Sequence, residues 1–318
     1  MKTLLSGITG FVGSHLAELL LWKGEEVFGI KRWRSPLDNI SHILKDITLF
    51  DADLLEPNAL NKVIARVKPD YIYHLAAMSY VPYSFSNPIQ TLQVNGIGTT
   101  NLYEAVRGAK IDPVILCCSS SEVYGQVKKE DLPIKENQRF NPSSPYGVGK
   151  TTADLISQLY WKLYKLKIII TRAFSHTGPR RGEKFVVSAF AKQIAEIEKG
   201  LKEPVLKVGN LDSVRTFMDV RDTVKAYWLL LKQGQPGEIY NIGGRVTITI
   251  KEMLERLFDM SSIKNNIDVV VDENLLRIKD VTLQIPDCTK LHKTIDWKPS
   301  IPFSETLHDT LQYWRQRV

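Results

Sequence analysis

The chain has 318 residues, of which 43% are apolar and 24% are charged, and its formal net charge is +7. This composition predicts a soluble globular protein of about two domains with a sizeable core, and it excludes a membrane protein, because no apolar run reaches the ~18–20 residues that cross a bilayer. The basic residues are scattered and not interleaved with aromatic ones, so we expect no nucleic-acid partner; they form a solvated surface, or some arginines hold an anionic ligand such as a nucleotide.

The three cysteines predict neither a disulfide framework nor a metal site. Cys117 and Cys118 are adjacent within an apolar run, Cys288 is distant from both, and no spacing typical of metal ligands occurs. Residues 1–7 lead directly into a strand and a glycine loop, without the long apolar region of a signal peptide. We therefore expect a cytoplasmic protein with reduced thiols and no bound metal.

The first half of the chain alternates short apolar strands with helices. Strands are predicted at residues 2–6, 25–30, 47–50, 71–75, 113–118 and 167–171. Helices are predicted at residues 14–23, 56–67, 88–108 and 144–166. This alternation is typical of βαβ units, so the predicted fold class is α/β with a doubly wound parallel sheet.

The pattern becomes less regular after about residue 175. Helices are predicted at residues 186–200, 220–232, 250–260 and 303–315, and strands at 205–208, 216–219, 238–242, 247–249 and 267–270. This part is too short and mixed to form an independent fold. We expect a first domain at residues 1–174 and a smaller mixed α/β domain at 175–318 that is partly interleaved with it and supplies a wall for the substrate.

A glycine loop, Gly7-x-x-Gly10-x-x-Gly13, lies between the first predicted strand and the first helix. Glycines at these places allow a tight turn and a close approach of the backbone to a pyrophosphate, which the helix N-terminus favours. The sequence therefore predicts a dinucleotide site, to which Thr9, Phe11 and Val12 of the same loop also contribute.

The residues after the second strand indicate which dinucleotide binds. A carboxylate there would bind the ribose 2′-hydroxyl of NAD, but this chain has Lys31-Arg32-Trp33-Arg34-Ser35. These cations and the hydroxyl suit a 2′-phosphate, so we predict NADP rather than NAD, held by Arg32, Arg34 and Ser35. Further cofactor contacts are expected from residues that follow the third and fourth strands, namely Asp53, Leu54, Leu75, Ala76 and Ala77.

The segment Ser144-Pro145-Tyr146-Gly147-Val148-Gly149-Lys150 begins a predicted helix. Tyr146 and Lys150 are four residues apart and share one helix face, and an ammonium near a phenol lowers the phenol pKa, which is normally about 10. We therefore expect Tyr146 to exchange protons near neutral pH. Ser120 ends the fifth strand on the same side of the sheet and can bind a substrate oxygen, while Lys150 can bind the nicotinamide ribose.

These motifs occur together with Val94-Asn95-x-x-Gly98-Thr99 and Ser119-Ser120-Ser121-Glu122-Val123-Tyr124-Gly125. In this combination the chain resembles, over nearly its whole length, the extended short-chain dehydrogenase/reductases that act on nucleotide sugars. The resemblance implies a Rossmann-type domain with a small C-terminal sugar-nucleotide domain. The segments at residues 136–146, 178–186 and 208–215 are similar to the GDP-mannose branch of that family.

The resemblance implies a 4,6-dehydratase, in which hydride leaves C4, water is lost across C5 and C6, and hydride returns to C6. Ser120, Tyr146 and Lys150 would handle the C4 oxygen and Glu122 would take the C5 proton. The substrate, a GDP-sugar, would be bound by Ser79, Ser84, Ser121, Ser175, Arg180, Arg181, Val186, Lys192, Asn210, Arg215 and Arg277.

The same motifs are also compatible with other functions. The short length and the segments at residues 215–222 and 276–281 also resemble the reductases that act on GDP-4-keto-6-deoxymannose. Another nucleotide-sugar dehydratase or epimerase, and a non-catalytic nicotinamide sensor, are further alternatives. The family usually pairs subunits through two long helices, here near residues 91–108 and 153–166, so we expect a homodimer or a homotetramer.

Overall fold

A computed structural model describes residues 1–263, 267–276 and 281–318. The strands are β1 (Lys2–Ser6), β2 (Glu26–Lys31), β3 (Ile47–Asp51), β4 (Tyr71–His74), β5 (Val114–Cys118), β6 (Lys167–Ala173), β7 (His176–Thr177), β8 (Val205–Val208), β9 (Val214–Asp219), β10 (Ile239–Ile242), β11 (Val246–Thr249), β12 (Asp268–Val271) and β13 (Leu283–Gln284).

The α-helices are α1 (Phe11–Trp22), α2 (Pro57–Val67), α3 (Val81–Ser86), α4 (Pro88–Leu92), α5 (Gly98–Gly108), α6 (Pro145–Tyr164), α7 (Val186–Glu198), α8 (Val220–Gln233), α9 (Ile250–Asp259), α10 (Thr289–Ile295) and α11 (Phe303–Arg315). Short 3₁₀ turns include Asp38–Ile43 and Ser121–Val123, and a π-helical turn at Gln93–Ile97 joins α4 to α5. None of the described helices combines the length and apolar character that a bilayer crossing requires.

Seven parallel strands form the central sheet in the order β10-β6-β5-β4-β1-β2-β3. Neighbouring residues of one strand face opposite sides, and each side has its own core. Leu5 packs with α1 and α8, whereas Leu4 packs with α2 and α5. Helices therefore cover both faces, which confirms the predicted doubly wound α/β fold.

The later part of the chain contributes to both regions of the molecule. β10 pairs with β6 and completes the central sheet, and α8 packs beside α1. A separate core lies among α7, α9, α11 and the strands β8, β9 and β11. This arrangement interleaves the two halves of the chain, while the division at residue 174 stays a prediction.

One predicted helix differs in the structure, and four short elements were not predicted. The helix expected at residues 88–108 is divided into α4, the π-helical turn and α5, because the buried Asn95 bonds to the backbone of the preceding loop instead of facing solvent. The short elements α3, α10, β7 and β13 were not predicted, since segments of two to seven residues carry too little periodicity to be recognised.

Candidate active site

The glycine loop between β1 and α1 is shaped to admit a ligand close to its backbone. Gly7 has a φ of +77°, and a Cβ at Gly13 would lie 2.2 Å from the Gly7 carbonyl oxygen. Helix α1 begins at Phe11, so the N–H groups of its first turn lack intrahelical partners. Asn39 donates from Nδ2 to the Thr9 carbonyl oxygen at 3.1 Å and holds the loop. These features fit the pyrophosphate of a dinucleotide.

The loop after β2 forms a compact turn. Ser35 N–H donates to the Arg32 carbonyl oxygen at 2.9 Å, and Arg32 N–H donates to Ser35 Oγ at 3.2 Å. Lys31 is paired with Asp51, whereas Arg32 and Arg34 are exposed and form no ion pair with any residue that the structure describes. Two guanidinium groups are therefore available to an anion here.

A groove of about 610 Å³ lies beside this turn, lined by Arg32, Trp33, Arg34, Ser35, Pro36, Asp51, Ala52, Asp53, Glu56 and Ala59. Asp53 accepts the Leu55 N–H at 2.9 Å, and Leu54 is buried against Gly98 of α5. The predicted adenine-side residues and the predicted 2′-phosphate residues thus share one groove, whose size suits the adenosine end of a dinucleotide.

The end of β4 lies directly against the glycine loop. A Cβ at Gly7 would be 3.0 Å from the backbone of Ala76, and Ala76 N–H donates to Ser6 Oγ at 3.2 Å. The His74 ring contacts Ser6 Oγ at 2.8 Å and Thr99 Oγ1 at 2.9 Å. Burial and the nearby Lys150 lower the His74 pKa to about 3, so this histidine is a neutral core residue.

The predicted catalytic residues meet at the carboxyl end of β5. Ser120 caps the 3₁₀ turn Ser121–Val123, and its Oγ accepts the Glu122 N–H at 3.2 Å. The Tyr146 phenol lies close enough to the Ser120 hydroxyl for this neighbour to lower the pKa of the phenol. Lys150 is buried and donates from Nζ to the Cys118 carbonyl oxygen at 2.7 Å. The structure therefore brings Ser120, Glu122, Tyr146 and Lys150 together.

The pKa of Tyr146 reflects two opposing effects. Burial raises this pKa above its ordinary value, while the Lys150 ammonium and the hydrogen bond from Ser120 lower it; the charge of Glu122 raises it further. The expectation of a net lowering is therefore wrong in sign, because burial, which depends on tertiary packing, outweighs the lysine. Lys150 itself acts in the predicted direction.

Helix α6 is fixed in position by caps and close backbone contacts. Ser144 Oγ accepts the Gly147 N–H at 3.0 Å, and Pro145 occupies the first turn. A Cβ at Gly149 would lie 3.1 Å from the Asn95 Cβ, and Asn95 in turn bonds to both backbone groups of Met78. The tyrosine–lysine helix is thereby held against the loop that follows β4.

Arg181 is a predicted substrate residue that lies close to Tyr146. Its half-buried guanidinium is 5.0 Å from the Phe11 ring and 3.5 Å from the Phe185 ring. Burial lowers its pKa to about 10, and Tyr146 is close enough to oppose that shift. On the other side, the His176 ring is stacked on Phe11 at 6.0 Å. Arg181 can therefore meet an anionic ligand beside the cofactor loop.

Three other predicted basic residues have protein partners. Arg180, which has a φ of +70°, donates to Glu18 of α1 at 2.6 Å. Lys192 pairs with Glu183 on the surface of α7. Arg215 is buried on β9 and donates to the Val214 carbonyl oxygen at 3.0 Å. Arg180 is thus paired with the helix that follows the glycine loop, and its contact with a substrate stays a prediction.

The predicted serine contacts differ in their accessibility. Ser84 is buried and donates to the Val81 carbonyl oxygen at 2.6 Å inside α3, so the structure does not present it to a substrate. Ser121 is also buried and donates to Gln284 Oε1 at 2.8 Å. Ser79 is exposed and Ser175 is half-buried, and both stay predictions.

The remaining predicted substrate residues lie at the edge of the C-terminal region. Val186 is exposed at the start of α7, and Asn210 accepts the Asp212 N–H at 2.9 Å in the loop before β9. Arg277 lies outside the described residues. The described part of the chain contains no group of three or more side chains able to hold a metal ion.

Sequence reasoning missed several residues next to the centre. Gln284 contacts Ser121 from β13, and Tyr227 of α8 contacts Cys118 Sγ at 3.1 Å. A buried pair of Arg172 and Asp154, 2.8 Å apart, ties β6 to α6. These partners are far apart along the chain, so no local pattern indicated their contacts. The one available signal was a charged residue, Arg172, next to the apolar run of β6.

Comparison with known proteins shows similarity to enzymes named for two reactions of GDP-sugars. The family model described as GDP-mannose 4,6 dehydratase matches residues 4–310. GDP-6-deoxy-D-mannose reductase of Pseudomonas aeruginosa is 33% identical, over 100% of this chain and 98% of the relative. GDP-mannose 4,6 dehydratase of Homo sapiens is 34% identical, over 96% of this chain and 89% of the relative.

Solved structures agree with these sequence relatives. The structure of RMD from Pseudomonas aeruginosa complexed with NADPH superposes with a TM-score of 0.86 at 32% identity, and the match covers 100% of this chain and 99% of that one. The similarity therefore extends over both the sheet and the C-terminal region.

Proposed function

The chain belongs to the GDP-mannose 4,6 dehydratase family of extended short-chain dehydrogenase/reductases, and on that premise we propose that it is an NADP-dependent GDP-mannose 4,6-dehydratase. The observation that carries this proposal is that Glu122 lies in the turn capped by Ser120, from which its charge raises the pKa of Tyr146. Reduction of a ketone needs the serine, tyrosine and lysine alone, whereas elimination of water also needs a base.

The residues divide the reaction between them. NADP, when bound, would supply the hydride acceptor for C4 and the hydride donor for C6, so the sugar would undergo no net oxidation. Ser120 holds the C4 oxygen, and Tyr146 takes its proton. The Lys150 ammonium, anchored on the Cys118 carbonyl, stabilises the phenolate. The C4 ketone acidifies the proton at C5. Glu122 takes that proton and passes it to the hydroxyl at C6, which departs as water.

A second candidate function is the reduction of GDP-4-keto-6-deoxymannose. It is favoured by the end-to-end match, since this chain covers 98% of the Pseudomonas aeruginosa reductase and 89% of the human dehydratase. In that reaction Tyr146 would donate its proton to the C4 oxygen, and Glu122 would have no role as a base.

Product analysis distinguishes the two functions. The purified protein with NADP bound is incubated with GDP-mannose, and the product is identified by mass spectrometry and NMR. The dehydratase forms a 4-keto sugar that has lost one water, without consuming NADPH. The absence of this product from protein that binds NADP, together with stoichiometric NADPH consumption on the keto sugar, would establish the reductase instead.

Arg32 provides a test of cofactor choice. Its guanidinium faces the groove without a carboxylate partner among the described ion pairs, so Arg32→Ala should weaken NADP binding about 10- to 100-fold, the ~1.5–3 kcal/mol of a charge-assisted hydrogen bond. NAD affinity should change less than about twofold, because NAD lacks the 2′-phosphate. Isothermal titration with both cofactors measures this selectivity.

Lys31→Ala is the matched control for Arg32. Lys31 precedes Arg32 in the chain but is engaged with Asp51, so its loss should leave the NADP-to-NAD ratio nearly unchanged. An equal loss of affinity for NADP and NAD in Arg32→Ala would show that the arginine stabilises the loop and does not bind the 2′-phosphate.

Helix α6 carries an apolar stripe that supports the expected oligomer. Leu155, Leu159 and Leu163 are spaced four residues apart and are 49%, 48% and 61% exposed. Ile97, at 55% exposure, lies on the adjoining π-helical turn. Exposed apolar patches of this kind mark interfaces, and we propose that two subunits pair through this face.

Replacing Leu159 with glutamate should convert the dimer to a monomer, because a charge in the centre of an apolar interface is desolvated without a partner. Size-exclusion chromatography with light scattering measures the mass. Leu201→Glu is the control, since Leu201 is 62% exposed but lies outside the stripe. A Leu159→Glu protein that stays dimeric would place the interface elsewhere.

A further inference from the structure

A buried ion pair joins strand β6 to helix α6. The Arg172 and Asp154 side chains are 2% and 0% exposed. Arg172 donates from Nε to one carboxylate oxygen at 2.8 Å and from Nη2 to the other at 3.1 Å. The desolvation of two buried charges offsets much of their attraction, so such a pair is weak evidence for stability. The pair is better understood from the groups that it holds in place.

The third nitrogen of the guanidinium binds the segment that follows the Glu122 turn. Arg172 Nη1 donates to the Tyr124 hydroxyl at 3.1 Å and to the Glu136 carbonyl oxygen at 2.7 Å. The Tyr124 hydroxyl in turn donates to Asn241 Oδ1 at 2.7 Å. The guanidinium also lies 5.1 Å from the Tyr124 ring. Arg172 therefore links helix α6 to the residue at which the Glu122 turn ends.

Helix α6 carries this link and the proton-transferring pair on one face. Asp154 follows Lys150 at position i+4 and Tyr146 at position i+8, and such spacings place side chains on the same side of a helix. Tyr146 and Lys150 are at the end of that face near β5, and Asp154 holds Arg172 farther along it. The helix that positions the phenol therefore also positions the Glu122 turn.

Ser120 and Glu122 depend on this link to different degrees. Ser119 N–H donates to the Thr171 carbonyl oxygen at 2.7 Å, so the pairing of β5 with β6 continues to the residue before Ser120. Glu122 lies beyond the strand, in a turn that ends at the buried Tyr124. The sheet therefore holds Ser120, whereas the position of Glu122 depends also on the anchor at Tyr124.

We propose that Arg172 is a positioning residue that fixes the Glu122 turn relative to the Tyr146–Lys150 pair. It acts through the groups that it binds and takes no part in proton or hydride transfer. This inference rests on the proposed dehydratase function, in which Glu122 acts at C5 while Tyr146 acts at C4. Displacement of the turn should therefore slow the elimination of water more than the oxidation at C4.

A charge-free double variant tests this role without leaving a buried charge unpaired. Asp154→Leu combined with Arg172→Met replaces the pair by apolar side chains, a change that folded proteins often tolerate. With NADP bound and enzyme in excess of GDP-mannose, NADPH absorbance follows oxidation at C4, and the mass of the sugar follows the loss of water. Water loss should slow about 10- to 100-fold, because a displacement of about 1 Å can cost this much, and oxidation should slow less than about threefold.

Tyr124→Phe is a smaller change that keeps the test valid if the double variant does not fold. It removes only the hydroxyl that lies between Arg172 and Asn241, and it should change the ratio of the two rates in the same direction. Tyr103→Phe is the matched control, because Tyr103 is equally buried and contacts Ser157 of the same helix at 2.7 Å. Tyr103 packs in a different core cluster from Tyr124, so its loss should leave the ratio unchanged.

The ratio of the two rates separates positioning from a general loss of packing, which would slow both steps together. Equal slowing of oxidation and water loss, or an unchanged rate of water loss, in the folded variants would overturn the proposal. A change of the ratio in Tyr103→Phe as large as that in Tyr124→Phe would also overturn it. If the wild-type protein forms no dehydrated product, the proposed function fails and this inference fails with it; a wild-type protein that dehydrates beside unaffected variants refutes the positioning role alone.

Discussion

Tyr146→Phe should reduce turnover at least about 1,000-fold while the protein still binds NADP and nucleotide sugar. The phenol is the only group of the Ser120, Tyr146 and Lys150 set that can take the proton of the C4 hydroxyl in the geometry described, since Lys150 is directed to the Cys118 carbonyl. General acid–base catalysis contributes about 10²–10⁴-fold, and the phenylalanine ring preserves the packing. Steady-state assays of product formation, with cofactor binding measured in parallel, check this result.

Tyr164→Phe, a change of the same kind at the exposed end of the same helix, is the control and should leave the rate nearly unchanged. Normal turnover by Tyr146→Phe would contradict the assignment and revive the non-catalytic sensor. Turnover that persists in Tyr146→Phe would require another group to take the proton of the C4 hydroxyl.

The pH dependence of the rate tests how Lys150 affects the pKa of Tyr146. Lys150 lowers the Tyr146 pKa against the effect of burial, so Lys150→Met should raise that pKa further. The phenolate is then less populated at neutral pH, and the rising limb of the rate of C4 oxidation should move to higher pH. An unchanged limb in Lys150→Met would mean that the lysine acts on the ribose alone.

Much of the sheet was predictable because its strands are short, apolar and separated by clear turn residues. The predicted strands at residues 2–6 and 205–208 match β1 and β8 residue for residue. The start of α6 was also predictable, since the serine cap and Pro145 are local signals that do not depend on the rest of the chain. Local chemistry thus placed Tyr146 and Lys150 on one helix face.

The features that could not be predicted depend on partners distant in sequence. The sign of the Tyr146 pKa shift follows from burial by several elements. Arg180 meets Glu18 across 162 residues, and Ser121 meets Gln284 across 163. A two-residue strand such as β13 has no periodic pattern, so nothing in its local sequence predicted that it would reach the catalytic turn.

Glu122→Gln should abolish dehydration while oxidation at C4 continues. Glutamine keeps the size of the side chain and the backbone bond to Ser120 but cannot take the C5 proton, so the full reaction should slow about 10²–10⁴-fold. The Ser120, Tyr146 and Lys150 groups stay in place, so enzyme in excess of GDP-mannose should still reduce its bound NADP. The NADPH absorbance in a single turnover, and the mass of the sugar, measure the two steps separately.

The same variant separates the dehydratase from the reductase. In a reductase Glu122 does not act as a base, so Glu122→Gln should retain most of the reduction of the keto sugar. The wild-type reductase should also release no water from GDP-mannose. Glu130→Gln is the control, because Glu130 is exposed and pairs only with Lys128 among the described ion pairs. Accumulation of a 4-keto sugar that keeps its C6 hydroxyl in Glu122→Gln, but not in Glu130→Gln, would assign the elimination step to this carboxylate. Full dehydration by Glu122→Gln would instead require another base at C5.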